Sequence, residues 1–262
     1  MNVSAYPNFV VDVADGIATL TFTRDERMNA LDSQTFRDLD SALTEIEQID
    51  DVQIVILTGN GKAFVAGADI NEYIDIRVLD YVEFQRLGRS VYDRIESYRK
   101  PVLAAVNGYA LGGGFELVLV CDIVIAAESA LLGLPEAKLG LLPGGGGTQR
   151  LPRLVGRNKA KELLMTAEFL SAEDARSLGI VNRVVPDDDL MAETRSLAAK
   201  ILRRAPLAVQ MAKQLVNDGL QSSLPTAISM ETGLTATLYD TRDAREGIAA
   251  FLEKRQPRFT GL

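Results

Sequence analysis

The stretch KPVLAAVNGYALGGGFELVLV, residues 100–120, decides how the chain folds. Lys100-Pro101 ends any helix that precedes it, because a proline ring disfavours helical geometry in the residue before it. Residues 102–106 are apolar at every position, the signature of a strand covered on both faces. Gly112, Gly113 and Gly114 then lead into residues 115–120, an apolar run whose single charge is Glu116. A strand, a glycine turn and a helix in that order form the building unit of an α/β protein.

Working toward the N-terminus, Leu87, Val91 and Ile95 recur at four-residue steps and predict a helix. Residues 54–57 form a second fully apolar strand, ending at Thr58-Gly59. Before it, Phe36, Leu39, Leu43, Ile46 and Ile49 mark an amphipathic helix capped by Asp32 or Ser33. Residues 9–13 and 17–22 flank Asp15-Gly16 and read as a hairpin. Toward the C-terminus, residues 123–127 are a third apolar strand. From about Asn158 the pattern is mostly helical: a short helix between Ser171 and Gly179, a strand-like run at 180–185, then helices around 190–202, 206–216, 224–238 and 243–254. The expected architecture is an α/β core with a helical C-terminal region and no linker between them.

The 262 residues contain no histidine. That absence excludes Ser-His-Asp and Cys-His catalysis and histidine-bearing zinc sites, leaving acid/base chemistry to carboxylates, Lys, Tyr or Cys. A formal net charge of -8 disfavours nucleic acid as a partner. The single Cys121 cannot form an intramolecular disulfide and lies in apolar sequence, as expected of core in a reducing compartment. The first residues lack the pattern of a secretory leader, and no apolar run is long enough to span a bilayer. The expected location is the cytoplasm, with no membrane partner.

Three stretches break the rules of ordinary core sequence. Residues 62–70, with Ala66-Gly67-Ala68-Asp69-Ile70, are small and follow an apolar strand, where ligand loops of α/β folds emerge; a close-packed connection is the alternative. Glycines opening a helix before Glu116 leave N–H groups free for an oxyanion, while apolar neighbours on all sides of Glu116 favour a raised pKa. A Glu116 hydrogen-bonded to nearby backbone is the structural alternative. Pro135-Glu136 places another carboxylate at the end of an apolar run. Two such carboxylates beside N–H donors suit proton transfer at a carbon next to a carbonyl. Residues 143–148 lack the P-loop ending and read as a tightly turned or flexible loop lining the site. Asp187-Asp188-Asp189 reads as the acidic start of a helix, and no metal site is expected.

Taken together, these residues resemble the enoyl-CoA hydratase (crotonase) family over nearly the whole chain. The resemblance rests on Arg24 with Met28-Asn29-Ala30-Leu31, on residues 66–69, on Pro101 to Asp122, on Pro135-Glu136, on Gly146-Gly147-Thr148-Gln149-Arg150 and on residues 251–255. It implies a spiral of ββα units over residues 1–200 with a helical C-terminal region over 201–262 for trimerisation and active-site cover. It also implies a homotrimer or dimer of trimers, a coenzyme A thioester as substrate and no separate cofactor.

By position, the N–H groups of Ala68 and Gly113 correspond to the family's oxyanion hole. Glu116 corresponds to the base that acts on water, and Glu136 to the donor of a proton at Cα. Ala66, Gly67, Asp69 and Ile70 resemble the wall along the thioester arm and adenine, and Lys254 a basic residue near the CoA phosphates. Many members carry a Lys where this chain has Asp25-Glu26-Arg27, which leaves a phosphate contact there to Arg24 or Arg27. The implied activity is syn hydration of a trans-2-enoyl-CoA. Alternatives are a carnitinyl-CoA or branched acyl-CoA dehydratase, a Δ3-Δ2 enoyl-CoA isomerase, or a binding protein, including an RNA binder, on the same scaffold.

Overall fold

The computed structural model describes residues 4–262; Met1 to Val3, part of the N-terminal stretch read above for a leader, lie outside the described residues. β1 (Phe9–Ala14) and β2 (Ile17–Phe22) form the expected antiparallel hairpin, and α1 (Ser33–Glu47) starts at Asp32, whose side chain accepts from Thr35 N–H. The chain then alternates between two sheets. β3 (Ile54–Gly59) lies in the large sheet, β4 (Ala63–Val65) in the small one, and α2 (Val78–Ser97) follows. β5 (Val102–Val106), β6 (Tyr109–Leu111) and α3 (Gly113–Leu119) repeat the pattern. So do β7 (Ile123–Ala127) and β8 (Leu131–Gly133), followed by α4 (Gly147–Val155) and α5 (Arg157–Thr166). Each turn of this ββα spiral adds one parallel strand to each sheet, giving the order β1-β2-β3-β5-β7 with β10 (Arg183–Val185) at the far edge. The small sheet runs β4-β6-β8 and ends in the antiparallel β9 (Leu170–Ser171), which leads into α6 (Ala172–Ser177).

The apolar strands are apolar because both faces of the large sheet are covered. Val55, Leu57, Val102, Ala104 and Val106 face the main core with α1 and α2. Ile54, Ile56, Leu103, Ala105 and Ile125 face the other way, toward α7 (Leu190–Leu202). The remaining helices are α8 (Pro206–Leu220), α9 (Leu224–Tyr239) and α10 (Arg242–Leu252). Neither α8 nor α9 has a fully buried residue.

Several details differ from the sequence-based expectations. The small sheet was not foreseen, because strands of two or three residues carry no readable alternation. The helical pattern begins earlier than Asn158: α4 opens at Gly147 and contains Pro152, two residues that lower helical propensity. The strand-like run at 180–185 is a strand only from Arg183, although Ile180 and Val181 are buried. Asp187–Asp189 is a short turn ahead of α7, with Asp187 accepting from Ser129, and among the described residues no acidic or cysteine cluster is arranged to hold a metal. Cys121 is partly buried, its thiol donating to Leu117 O and raised in pKa by burial, and it packs against the main core.

Candidate active site

The segments that follow β4, β6 and β8 converge with α2 on one cavity of about 110 Å³. Its wall includes Ala66, Gly67, Ala68 and Ile70 after β4, Gly113 and Glu116 at the start of α3, and Glu136 in the turn Glu136–Leu139. Three sequence-predicted segments, far apart along the chain, therefore meet at one place.

The segment after β4 is braced by the loop carrying Met28 to Leu31. Ala66 N–H donates to Met28 O, Leu31 N–H to Gly67 O, and Asp69 N–H to Leu31 O. In this parallel bridge the pairing straddles Ala68, so the Ala68 N–H points away from Leu31. Asn29 holds the brace from within, its amide donating to Asn60 O and Ala63 O while its backbone sits at φ +58°. The second N–H comes from Gly113, the first residue of α3, whose N–H lies in the turn that has no intrahelical acceptor. A Cβ placed on Gly113 would fall 3.6 Å from Ala68 N, which shows how closely the two donors approach. Two glycines make this approach feasible. Gly112 adopts φ +51°, and a Cβ on Gly114 would sit 1.8 Å from Val65 O.

Glu116 is 3% exposed. Burial raises its pKa, while backbone N–H groups at Gly147 and Gly145 and the charges of Arg150 and Arg89 pull it back down. The Gly147 N–H donates to Oε1 at 2.7 Å. Both readings of Glu116 thus hold at once: the carboxylate is satisfied by backbone and is also dry. The loop 143–146 that leads into this donor is held by Arg150, which donates to Gly145 O at 2.8 Å and pairs with Asp93 and Glu96.

Glu136 is only partly buried, and its Oε1 lies against Gly112, 3.1 Å from where a Cβ there would stand. Its Oε2 is buried and, among the described residues, has no hydrogen-bond partner. Burial and the nearby Glu116 charge push its pKa up to about 7. A buried carboxyl oxygen with no donor opposite is costly as an anion, and the same group as an acid is poised to give up a proton near neutrality.

The site thus offers two carboxyl groups of raised proton affinity and two neighbouring backbone N–H groups on one cavity, suited to moving protons beside a carbonyl whose oxygen becomes negative. The sequence profile of the enoyl-CoA hydratase/isomerase family matches residues 12–262. The chain belongs to the enoyl-CoA hydratase/isomerase family. It is 43% identical over 256 residues to the crotonyl-CoA hydratase of Syntrophomonas wolfei, a match spanning 97% of this chain and 98% of that one. It is likewise 43% identical over 250 residues to the short-chain-enoyl-CoA hydratase of Clostridium acetobutylicum, spanning 95% and 96%. The crystal structure of enoyl-CoA hydratase from Bacillus anthracis superposes with a TM-score of 0.94 at 41% identity, covering 98% of this chain and 100% of the other.

Some residues expected from the resemblance to enoyl-CoA hydratases stand outside the cavity. Asp69 does not line it: its carboxylate turns back to accept from Asn71 and to pair with Arg24 at 2.7 Å, so it shapes the wall from behind. Arg24 is occupied by Asp32 as well, and so is tied into the scaffold. Arg27 is exposed in the turn Asp25–Arg27, and Lys254 is exposed just past α10; neither lines the cavity of its own chain. Two cavity residues, Arg89 and Tyr92 on α2, escaped the sequence reading. Tyr92 follows Val91 on the buried side of an amphipathic helix, where periodicity sees only another large side chain.

Proposed function

We propose that this chain is an enoyl-CoA hydratase, adding water syn across the 2,3-double bond of a trans-2-enoyl-CoA to give a 3-hydroxyacyl-CoA. The observation that carries the proposal is the pair Glu116 and Glu136, both of raised proton affinity, on one cavity with the Ala68 and Gly113 N–H groups. The thioester oxygen accepts from the two N–H groups, which withdraws electron density and leaves Cβ electrophilic. Glu116, kept ionised by the Gly147 N–H and the Arg150 and Arg89 charges, takes a proton from water as its oxygen bonds to Cβ. The negative charge moves to the thioester oxygen, and Glu136 as a carboxylic acid gives its proton to Cα. Return of one proton from Glu116 to Glu136 through solvent closes the cycle.

An isomerase of this fold generally keeps only the carboxylate at the Glu136 position, so the presence of Glu116 favours hydration. Lys254 and Arg27 are the CoA phosphate contacts in this reading, with Lys254 donated by another copy. The acyl-CoA belongs to fatty-acid metabolism, handled in the cytoplasm without a separate cofactor. Among the described residues no helix is long and apolar enough to cross a membrane. Residues 1–200 serve as the catalytic spiral, and 201–262 as the region that assembles copies into a trimer or a dimer of trimers. Exposed apolar side chains on those helices, Leu220 and Phe251 at 78% and 83%, support the assembly.

Loss of conjugated-enoyl absorbance with crotonyl-CoA and longer chains tests the activity. Hydration is expected in wild type and its loss in both Glu116→Gln and Glu136→Gln. No hydration at any chain length, or full activity in both variants, overturns the proposal. Sedimentation of the purified chain tests the assembly, and a monomer at micromolar concentration would overturn it.

A further inference from the structure

We propose that Tyr92 is a positioning residue for the oxyanion site: its hydroxyl fixes the Gly113 carbonyl, one peptide unit beyond the one that carries the Gly113 N–H, so that the Gly113 and Ala68 N–H groups stay aimed at one oxygen. The identity of that oxygen rests on the hydratase reading above; the clamp itself is a matter of geometry.

Tyr92 is 2% exposed and lines the cavity, yet the proton transfers just described make no use of it. Its hydroxyl donates to Gly113 O at 2.8 Å. The ring has little freedom to move away. Phe36 packs against it edge-on, with centroids 5.8 Å apart at 84°. On another side Gly145 lies so close that a Cβ there would come within 2.2 Å of ring Cε2. With the ring held, the hydroxyl has one direction to point, and it meets the first carbonyl of α3.

The need for such a clamp follows from the three successive glycines. Gly112, Gly113 and Gly114 have no side chains with which to lock their own backbone, and glycine has the widest conformational freedom of any residue. Each is held by a neighbour instead: Gly112 N–H by Gly133 O at 2.9 Å, Gly114 by its close approach to Val65 O, and Gly113 by Tyr92. Only the last of these three contacts is made by a side chain, and it reaches the residue that presents the N–H. Tyr92 also stays a donor throughout the working pH range, because burial raises its pKa well above the usual value and the charges of Glu116 and Glu136 raise it further, against the opposing pull of Arg150. It therefore holds its proton and does not shuttle it.

The test is Tyr92→Phe in the full chain, which removes one oxygen and keeps the ring that Phe36 and Gly145 grip. With crotonyl-CoA, kcat is expected to fall about tenfold and KM to change less than about twofold. That is milder than deleting an oxyanion donor outright, because the N–H remains but is less well aimed. A second measurement separates aiming from general packing. Dissociation constants are compared for butyryl-CoA, which has an ordinary thioester oxygen, and acetoacetyl-CoA, whose enolate places negative charge there. Tyr92→Phe should weaken the enolate ligand about as much as it lowers kcat and leave the saturated one unchanged. A wild-type kcat in the variant, or equal weakening of both ligands, overturns the proposal. Should the wild-type chain hydrate no enoyl-CoA, the hydratase reading falls, while the two-ligand comparison still decides the role of Tyr92.

Discussion

The first turn of α3 and the turn after Pro135 each bring a glutamate to the same cavity, but they treat it differently. Glu116 is almost fully buried and receives a backbone N–H from Gly147, with guanidinium charges nearby. Glu136 keeps some access to solvent yet has one oxygen buried with no hydrogen-bond partner among the described residues. The less buried group is the one whose pKa is pushed up to about 7. Depth alone does not set proton affinity: a dry carboxylate with a donor and cations stays ionised more readily than a wetter one that lacks them and faces another negative charge. In the hydratase reading this difference assigns the work, with the satisfied group as base and the unsatisfied one as acid.

The comparison breaks most readily on activity. Glu116→Gln is expected to lower kcat by about 10⁴ and Glu136→Gln by about 10³, toward the upper end of what general acid/base groups contribute. A larger loss in Glu136→Gln would reverse the ranking. The pH profile of kcat/KM sharpens the same point. Activity should decline above pH 7 as Glu136 loses its proton, and decline on the acid side as Glu116 gains one at a pH above the ordinary carboxylate range. Residual activity in Glu136→Gln should lack the alkaline limb.

Lys100 offers a third buried charge for calibration. Among the described residues its ammonium has no carboxylate partner, and it caps the end of α1, donating to Ile46 O at 2.7 Å and Ile49 O at 2.8 Å. Lys100→Met should cost about 2–3 kcal/mol in urea unfolding, because it strands carbonyls that the ammonium now satisfies. No loss would mean that donors matter less to buried polar groups here than the glutamate contrast requires.

The smallest expected effect concerns stability. Glu136 binds its proton more tightly folded than unfolded, so its contribution is fully present below the unfolded pKa near 4.5 and is lost as pH rises through about 7. Glu136→Gln should therefore be more stable than wild type at pH 8, by about 1–2 kcal/mol once solvent screening at this half-open site is allowed for. At pH 4 the two should unfold alike; an equal difference at both pH values would trace the effect to packing.

Much of this was legible in the residues. The strands at 54–57, 102–106 and 123–127 announced themselves because double-sided burial removes polar side chains, and Glu116 stood out because a lone charge in an apolar run needs a reason. What stayed hidden depends on contacts between distant segments. The Leu31 to Ala68 bridge, the Gly147 donor to Glu116 and the Tyr92 bond to Gly113 join residues 21 to 37 positions apart, and nothing local encodes them. Asp69 misled for the same reason, since its partner Arg24 is 45 residues away.

Leu220, Leu224, Phe251 and Leu252 point outward from the C-terminal helices. If these side chains are covered by further copies of the chain, stability becomes a property of the solution as well as of the sequence. Each tenfold dilution then shifts the balance toward separated subunits by mass action, and the melting temperature rises with protein concentration. An assay at nanomolar enzyme and a melting curve at micromolar enzyme would then report on different populations.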